Sequence, residues 1–292
     1  MRSKSNRSLR TAAIVLFVLG TWSIAAAQSG SGGQSQGGQS QQPAGDKPKT
    51  SDVTPLTLDS TPPPVNAEED AAYKVFQDAP TSDLQKKIGL GEAFLQKYPQ
   101  SRYLPPLYAA MTISYMQTNQ IPKMLEIGDK AVTLTPTDVT TLAILAQTIS
   151  RVTNSTTPNA GAQLAKAENY SKKAMEVAPT LPKPANLTDE AFTNAKNQAL
   201  AAAHSGLGLV YVKRGKNQEA IPEFEASIKL DSNPDPVNYY LLGVADKSTS
   251  HFDDAVAAFN KCANMAGQMQ ATCKSQAEDT KKKSATELSA RK

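Results

Sequence analysis

The chain carries little with which to do chemistry. Its 292 residues include two histidines, His204 and His251, and two cysteines, Cys262 and Cys273. The histidines stand 47 positions apart, and neither has ligand-type residues clustered beside it. A zinc site needs three or four ligands at suitable spacing, so no metal site is expected. His204 falls where a bulky packing residue belongs, and His251, before Phe252-Asp253-Asp254, falls at a solvated turn. Gly206-Leu207-Gly208 opens like a phosphate-binding loop but lacks the following glycine and a preceding strand. No run of residues alternates as a half-buried strand would. These absences argue against an enzyme and against a cofactor. They leave a small-ligand binder as the weakest of the readings.

An excess of one charge is missing too, once the N-terminus is set aside. Arg2, Lys4, Arg7 and Arg10 precede an apolar run from Ala12 to Gly20, and Ala25-Ala26-Ala27 precedes Gln28. That is the pattern of a secretory signal peptide over residues 1–27, which carries the chain to a periplasmic or secreted location. An uncleaved membrane anchor is the alternative. The run is short, however, and is broken by Gly20, Thr21 and Ser23, where a span needs about 20 apolar residues. The whole chain has 31 basic and 27 acidic residues; four basic and no acidic ones fall in this stretch, so the remainder is neutral. Net charge therefore gives no reason to expect a nucleic-acid partner. The only tryptophan, Trp22, leaves with the signal. Residues 28–66 are Gly/Ser/Gln-rich up to Gln42, then Pro/Thr-rich through Pro62-Pro63-Pro64, and hold almost nothing to bury. They read as a disordered tether, or alternatively as a proline-rich recognition segment.

What remains, residues 67–292, reads as helices throughout, with Pro80, Pro105, Pro136, Pro158, Pro179, Pro182 and Pro234 at helix boundaries. Acidic groups at helix starts, Glu68-Glu69-Asp70 and Asp253-Asp254, suit the helix dipole, as does Lys281-Lys282-Lys283 near the end of the last helix. Within this region a pattern recurs at an offset of 35. Leu207, Gly208, Ala220 and Phe224 become Leu242, Gly243, Ala255 and Phe259. A period in the thirties marks stacked helix hairpins, none of which buries its apolar face alone.

These residues resemble the tetratricopeptide repeat family. One copy matches as Leu207-Gly208, Tyr211, Ala220, Phe224 and Ser227; the next matches as Tyr239, Leu242-Gly243, Ala255 and Phe259, with Asp246 where an aromatic is usual. An earlier copy keeps Leu142, Leu145-Ala146 and Ile149, then resumes after an insertion with Ala167, Tyr170, Ala174 and Pro179. The first, through Tyr108, Met111, Tyr115, Ala131 and Pro136, is weaker, and Ala93-Phe94 to Ser101 looks like half a repeat before it. The resemblance implies an all-α, right-handed superhelical array of antiparallel helix hairpins, about four repeats plus flanking helices. Gly208, Tyr211, Ala220, Phe224, Gly243, Ala255 and Phe259 are its packing residues. Two departures stand out: a loop expected over 152–161, and a long helix expected from Asp189 to Arg214 with Thr188 as cap.

The family's first helices line an inner groove that binds proteins or peptides. On this sequence the groove positions are Ile113, Met116, Ala143, Gln147, Ser205, Leu209, Val212, Tyr240, Val244 and Lys247. They are largely apolar and lack the Lys/Asn set that clamps a C-terminal carboxylate in one branch of the family. The expected function is an exported scaffold for a protein partner. The alternative is a self-associating spacer of the cell envelope, with the groove covered by the terminal helix or a second copy. Cys262 and Cys273 are a disulfide candidate, with two free thiols as the other possibility. On one straight helix they would sit about 16 Å apart, too far to bond. A helix end at Gly267 would bring them together.

Overall fold

The computed structural model describes residues 66–290 except Asn186 and the side chains of Leu288 and Ala290. The expected signal peptide over 1–27 and, apart from Asn66, the expected tether over 28–66 lie outside the described residues. Among the described residues the fold is all-α: α1 (Ala67–Asp78), α2 (Leu84–Lys97), α3 (Leu104–Gln117), α4 (Ile121–Leu134), α5 (Val139–Val152), α6 (Ala160–Val177), α7 (Asp189–Lys213), α8 (Asn217–Leu230), α9 (Pro236–Ser248), α10 (Phe252–Ala263) and α11 (Gln270–Ala290), with a 3₁₀ turn at Ala178–Thr180. Five hairpins are followed by one unpaired helix. The half-repeat read from Ala93-Phe94 is a whole hairpin, because α1 supplies its first helix and buries Tyr73 and Phe76.

Local chemistry sets the helix starts. The Asn66 side chain accepts from the N–H groups of Glu68 and Glu69, Asp83 from Lys86, Asp138 from Thr141, Thr188 from Ala191 and Asp235 from Val237. Each satisfies donors that have no partner inside the helix. The hairpin turns repeat one geometry. Asn119, Gly215 and Ser250 take positive φ of 56°, 73° and 65°, and the next residue's N–H returns to a carbonyl five residues back. Those bonds are Gln120 to Tyr115, Lys216 to Tyr211 and His251 to Asp246, each 2.9 Å. This is the Schellman closure of a helix C-terminus, and the glycine at 215 adopts it without steric cost.

Two details depart from the sequence reading, one in length and one in a proline. The insertion after α5 is partly helical: α6 begins at Ala160, so only 153–159 remains as loop. Pro222 lies inside α8, unlike the prolines that bound helices, and denies one carbonyl its helical donor. The long helix is present as α7, of 25 residues. One packing residue is displaced. Tyr170 donates through its hydroxyl to Asp129 Oδ1 at 2.9 Å and is only half-buried, and Ser171 occupies the fully buried place beside it. A tyrosine here finds a polar partner on α4 that a core position could not offer.

The core runs from Tyr73 and Phe76 through Leu107, Met111, Leu142, Leu145 and Ile149 to Ala199, Ala203 and Val210 on α7. Two smaller clusters continue it: Ala220, Phe224 and Ala245, then Ala255, Phe259 and Ala277. A Cβ on Gly208 would come within 2.9 Å of Phe224, and one on Gly243 within 2.8 Å of Phe259. The glycines of the two matching repeats therefore make room for the two phenylalanines.

The repeat also fixes what joins one hairpin to the next. Ser227 on α8 and Asn238 on α9 are both buried, and Asn238 Nδ2 donates to Ser227 Oγ at 3.0 Å. Thirty-five residues later the same two places hold Cys262 and Cys273. Their Cα atoms lie 5.8 Å apart and their sulfurs are paired in the structure. Gly267, at φ 144°, lies in the turn that brings α11 back against α10. Helix α11 thus stands where the first helix of a further repeat would.

Candidate binding face

Helices α3, α5, α7 and α9 are the first helices of successive hairpins. In a regular array they would stand as separate ribs lining one face. Here α5 and α7 pack along their length, whereas α7 and α9 barely meet. The cause is local. A Cβ on Gly206 would lie 3.0 Å from the backbone of Ala146 and of Gln147. The two helix backbones approach so closely here that a Cβ would have to push α5 back by some tenths of an ångström. Ala203 and Ala199, one and two turns earlier on the same side of α7, are also small and buried in the core shared with α5.

This contact sorts the predicted groove residues. Ala143, 1 % exposed, is core, and Gln147 lies against α7. Ser205 is buried, 3 % exposed, and donates to Asn238 Oδ1 at 2.7 Å. Asn238 then donates to Ser227, whose hydroxyl donates to the Ala201 carbonyl at 2.8 Å. Ser205 is therefore part of a satisfied polar chain joining α7, α8 and α9, not a lining residue. Tyr240 and Val244 pack against the Ala255–Phe259–Ala277 cluster, the Tyr240 ring 5.9 Å from that of Phe259. Lys247 donates to Gln276 of α11 at 3.1 Å. These three α9 residues face α10 and α11, because α11 fills the place of the next rib. The remaining predicted positions, Ile113 and Met116 on α3 and Leu209 and Val212 on α7, are half-buried, the last two beside the Ala220–Phe224–Ala245 cluster.

Polar side chains fix the ribs in place. Lys213, at the end of α7, donates to the carbonyls of Arg151 and Thr153 at the end of α5. A cation there meets the negative end of the α5 dipole, and its burial pulls the Lys213 ammonium below the usual lysine range. Arg151 reaches Asp235 at 2.9 Å, and Arg214 pairs with Glu168. His204 is not a packing residue: its Nδ1 lies 2.7 Å from Glu223 Oε2 on α8, with both side chains partly exposed. His251 is the cap residue of α10 and half-exposed. Among the described residues no group of three or more His, Cys, Asp or Glu is placed to hold a metal ion. No helix among them is long and apolar enough to cross a membrane.

The sequence reading missed Asn238, and it read Gly206 as a helix-packing glycine without its partner. Asn238 had a signal in the 35-residue offset to Cys273; the partner of Gly206 had none, since it depends on which helix comes to meet it.

Residues 201–234 match the family model described as tetratricopeptide repeat. Among solved structures, a thermophilic TPR protein of Thermus thermophilus is 18 % identical, with 73 % of this chain and 98 % of that one covered and a TM-score of 0.45. A double mutant of MamA RS-1 is 14 % identical, with 68 % and 93 % covered and a TM-score of 0.49. A tetratricopeptide repeat protein from Parabacteroides merdae is also 14 % identical, with 74 % and 99 % covered and a TM-score of 0.34. Among curated proteins none matches.

Proposed function

We propose that this chain, a tetratricopeptide-repeat protein, is an exported scaffold that holds a protein partner on the inner face of its first helices. The observation that carries the reading is the set of apolar side chains left half-buried on the ribs: Ile113 and Met116 on α3, Leu209 and Val212 on α7. Aliphatic groups spaced along helical ribs suit an extended or helical segment with hydrophobic anchors. Export is supported by the basic, apolar and small-residue sequence of residues 1–27 and by the pairing of the only two cysteines. With the ribs of α9 facing α10 and α11, the partner's contacts centre on α7 and α3.

The test is crosslinking of the exported protein in the envelope fraction, followed by capture. Leu209→Lys and Val212→Lys should lose the captured partner while keeping the helical circular dichroism of the native chain, since a half-buried lysine can extend its ammonium to water. Retention of the partner by both variants would remove α7 from the interface. A mass that doubles with concentration in sedimentation equilibrium, and reverts in the same variants, would instead favour the self-associating spacer.

A further inference from the structure

Asp246 stands where the preceding repeat has Tyr211. Its side chain is 5 % exposed and accepts no hydrogen bond among the described residues. Every feature around it but one disfavours a negative charge. It lies in the last turn of α9, at the negative end of that helix dipole. Asp254 of α10 and Glu225 of α8 both act on it as like charges. Lys247, next in sequence, turns away to Gln276. The exception is His251, whose Nδ1 lies 3.8 Å from Asp246 Oδ1. The Asp246 carbonyl meanwhile anchors the turn, accepting from the N–H groups of Thr249 and His251. The group is thus buried at the hinge of the last hairpin, the hairpin on which α11 rests.

We propose that the α9–α10 turn is a proton-responsive latch: uptake of one proton by the Asp246 carboxyl tightens α9, α10 and α11 in mildly acidic surroundings, and its release loosens them at neutral pH. The direction follows from linkage. Burial, then Asp254, push the carboxyl up from 3.8 to about 6 in the folded chain, with His251 opposing. The folded state therefore holds the proton where the unfolded state has lost it. Stability is gained as pH falls through about 6 and is lost as pH rises. Glu92, Glu126, Glu168 and Asp70 are held below the usual carboxylate range by cationic and hydroxyl partners, so they stay ionised throughout this window.

Hydrogen exchange of the exported, oxidised protein at pH 7.5 and 5.0, corrected for intrinsic exchange rates, tests the latch. Protection in α9, α10 and α11 should rise about 10-fold on acidification relative to α3–α6. In Asp246→Asn that rise should vanish, and in His251→Gln it should persist and begin at higher pH, because the opposing cation is gone. Equal protection of both regions at the two pH values in the wild-type chain would overturn the proposal, whether or not the variants fold. So would a rise lost in His251→Gln but kept in Asp246→Asn, which would place the proton on the histidine.

Discussion

Replacing Gly206 by alanine adds one methyl group in place of a hydrogen, and it should measurably weaken the array. The new Cβ would sit 3.0 Å from Ala146 C and Gln147 N and 3.1 Å from Gln147 Cα. All three are backbone atoms inside α5, so no side chain can rotate out of the way. Relief requires α5 and α7 to part by some tenths of an ångström, along a seam that buries Leu145, Ile149, Ala203 and Val210. Overpacking of this kind costs about 1–3 kcal/mol. Against it stands the gain of about 1 kcal/mol from replacing a mid-helix glycine. The net expectation is a loss of up to about 2 kcal/mol, read as a urea midpoint at unchanged slope that falls below that of a glycine-to-alanine change made free of the contact. Gly89 supplies the control. It is exposed, inside α2, and a Cβ there meets nothing within 4 Å. Gly89→Ala should raise the midpoint by the propensity gain alone, up to about 1 kcal/mol. Gly91 falls between the two, since its Cβ would meet the movable Met111 side chain. A Gly206→Ala protein stabilised as much as Gly89→Ala would refute the backbone contact between α5 and α7.

Two further outcomes bear on the seams between hairpins. Asn238→Leu leaves the Ser205 hydroxyl without its acceptor and removes the donor to Ser227, so it should cost about 2–3 kcal/mol and lower the melting temperature by several degrees. An unchanged melting temperature would show that water replaces the amide. Reduction of Cys262–Cys273, which closes a separation of 11 residues, should expose both thiols together and cost about 3 kcal/mol, with exchange rising first in α11. Both thiols reacting with an alkylating agent before reduction would count against a bond in the native protein.

The parts of this fold that the sequence announced are those where one residue type suffices. Gly208 and Gly243 precede Phe224 and Phe259 by 16 positions in each copy, and the structure presses each glycine against its phenylalanine. Thr188 marks the start of α7 because a hydroxyl before Asp189-Glu190 has few other uses. What stayed hidden depends on the neighbour. An inner face of evenly spaced ribs was the expectation, but Gly206 brings α5 and α7 together at Gln147, while Asn238 of α9 takes up Ser205 on the other side of α7. Tyr240 and Val244 were displaced from the open face because α11, a polar sequence with few apolar residues, still packs as a rib. Asp246 was visible as a departure from the aromatic pattern; that its carboxyl is buried with only His251 beside it could be read only from the packed turn.

Helix α7 belongs to two cores at once. Ala199, Ala203 and Val210 lie in the large N-terminal core, while Leu209, Tyr211 and Val212 pack on the cluster that begins with Ala220 and Phe224. Its 25 residues make a rod of about 37 Å, pinned to α5 by the glycine contact and by Lys213 at the tip. A solenoid of equal hairpins behaves as a spring, with each joint yielding a little under load. A splint of this length takes that compliance out of the middle of the spring. Bending under tension, or on closing around a ligand, is then left to the joint beyond it, where α7 and α9 barely touch.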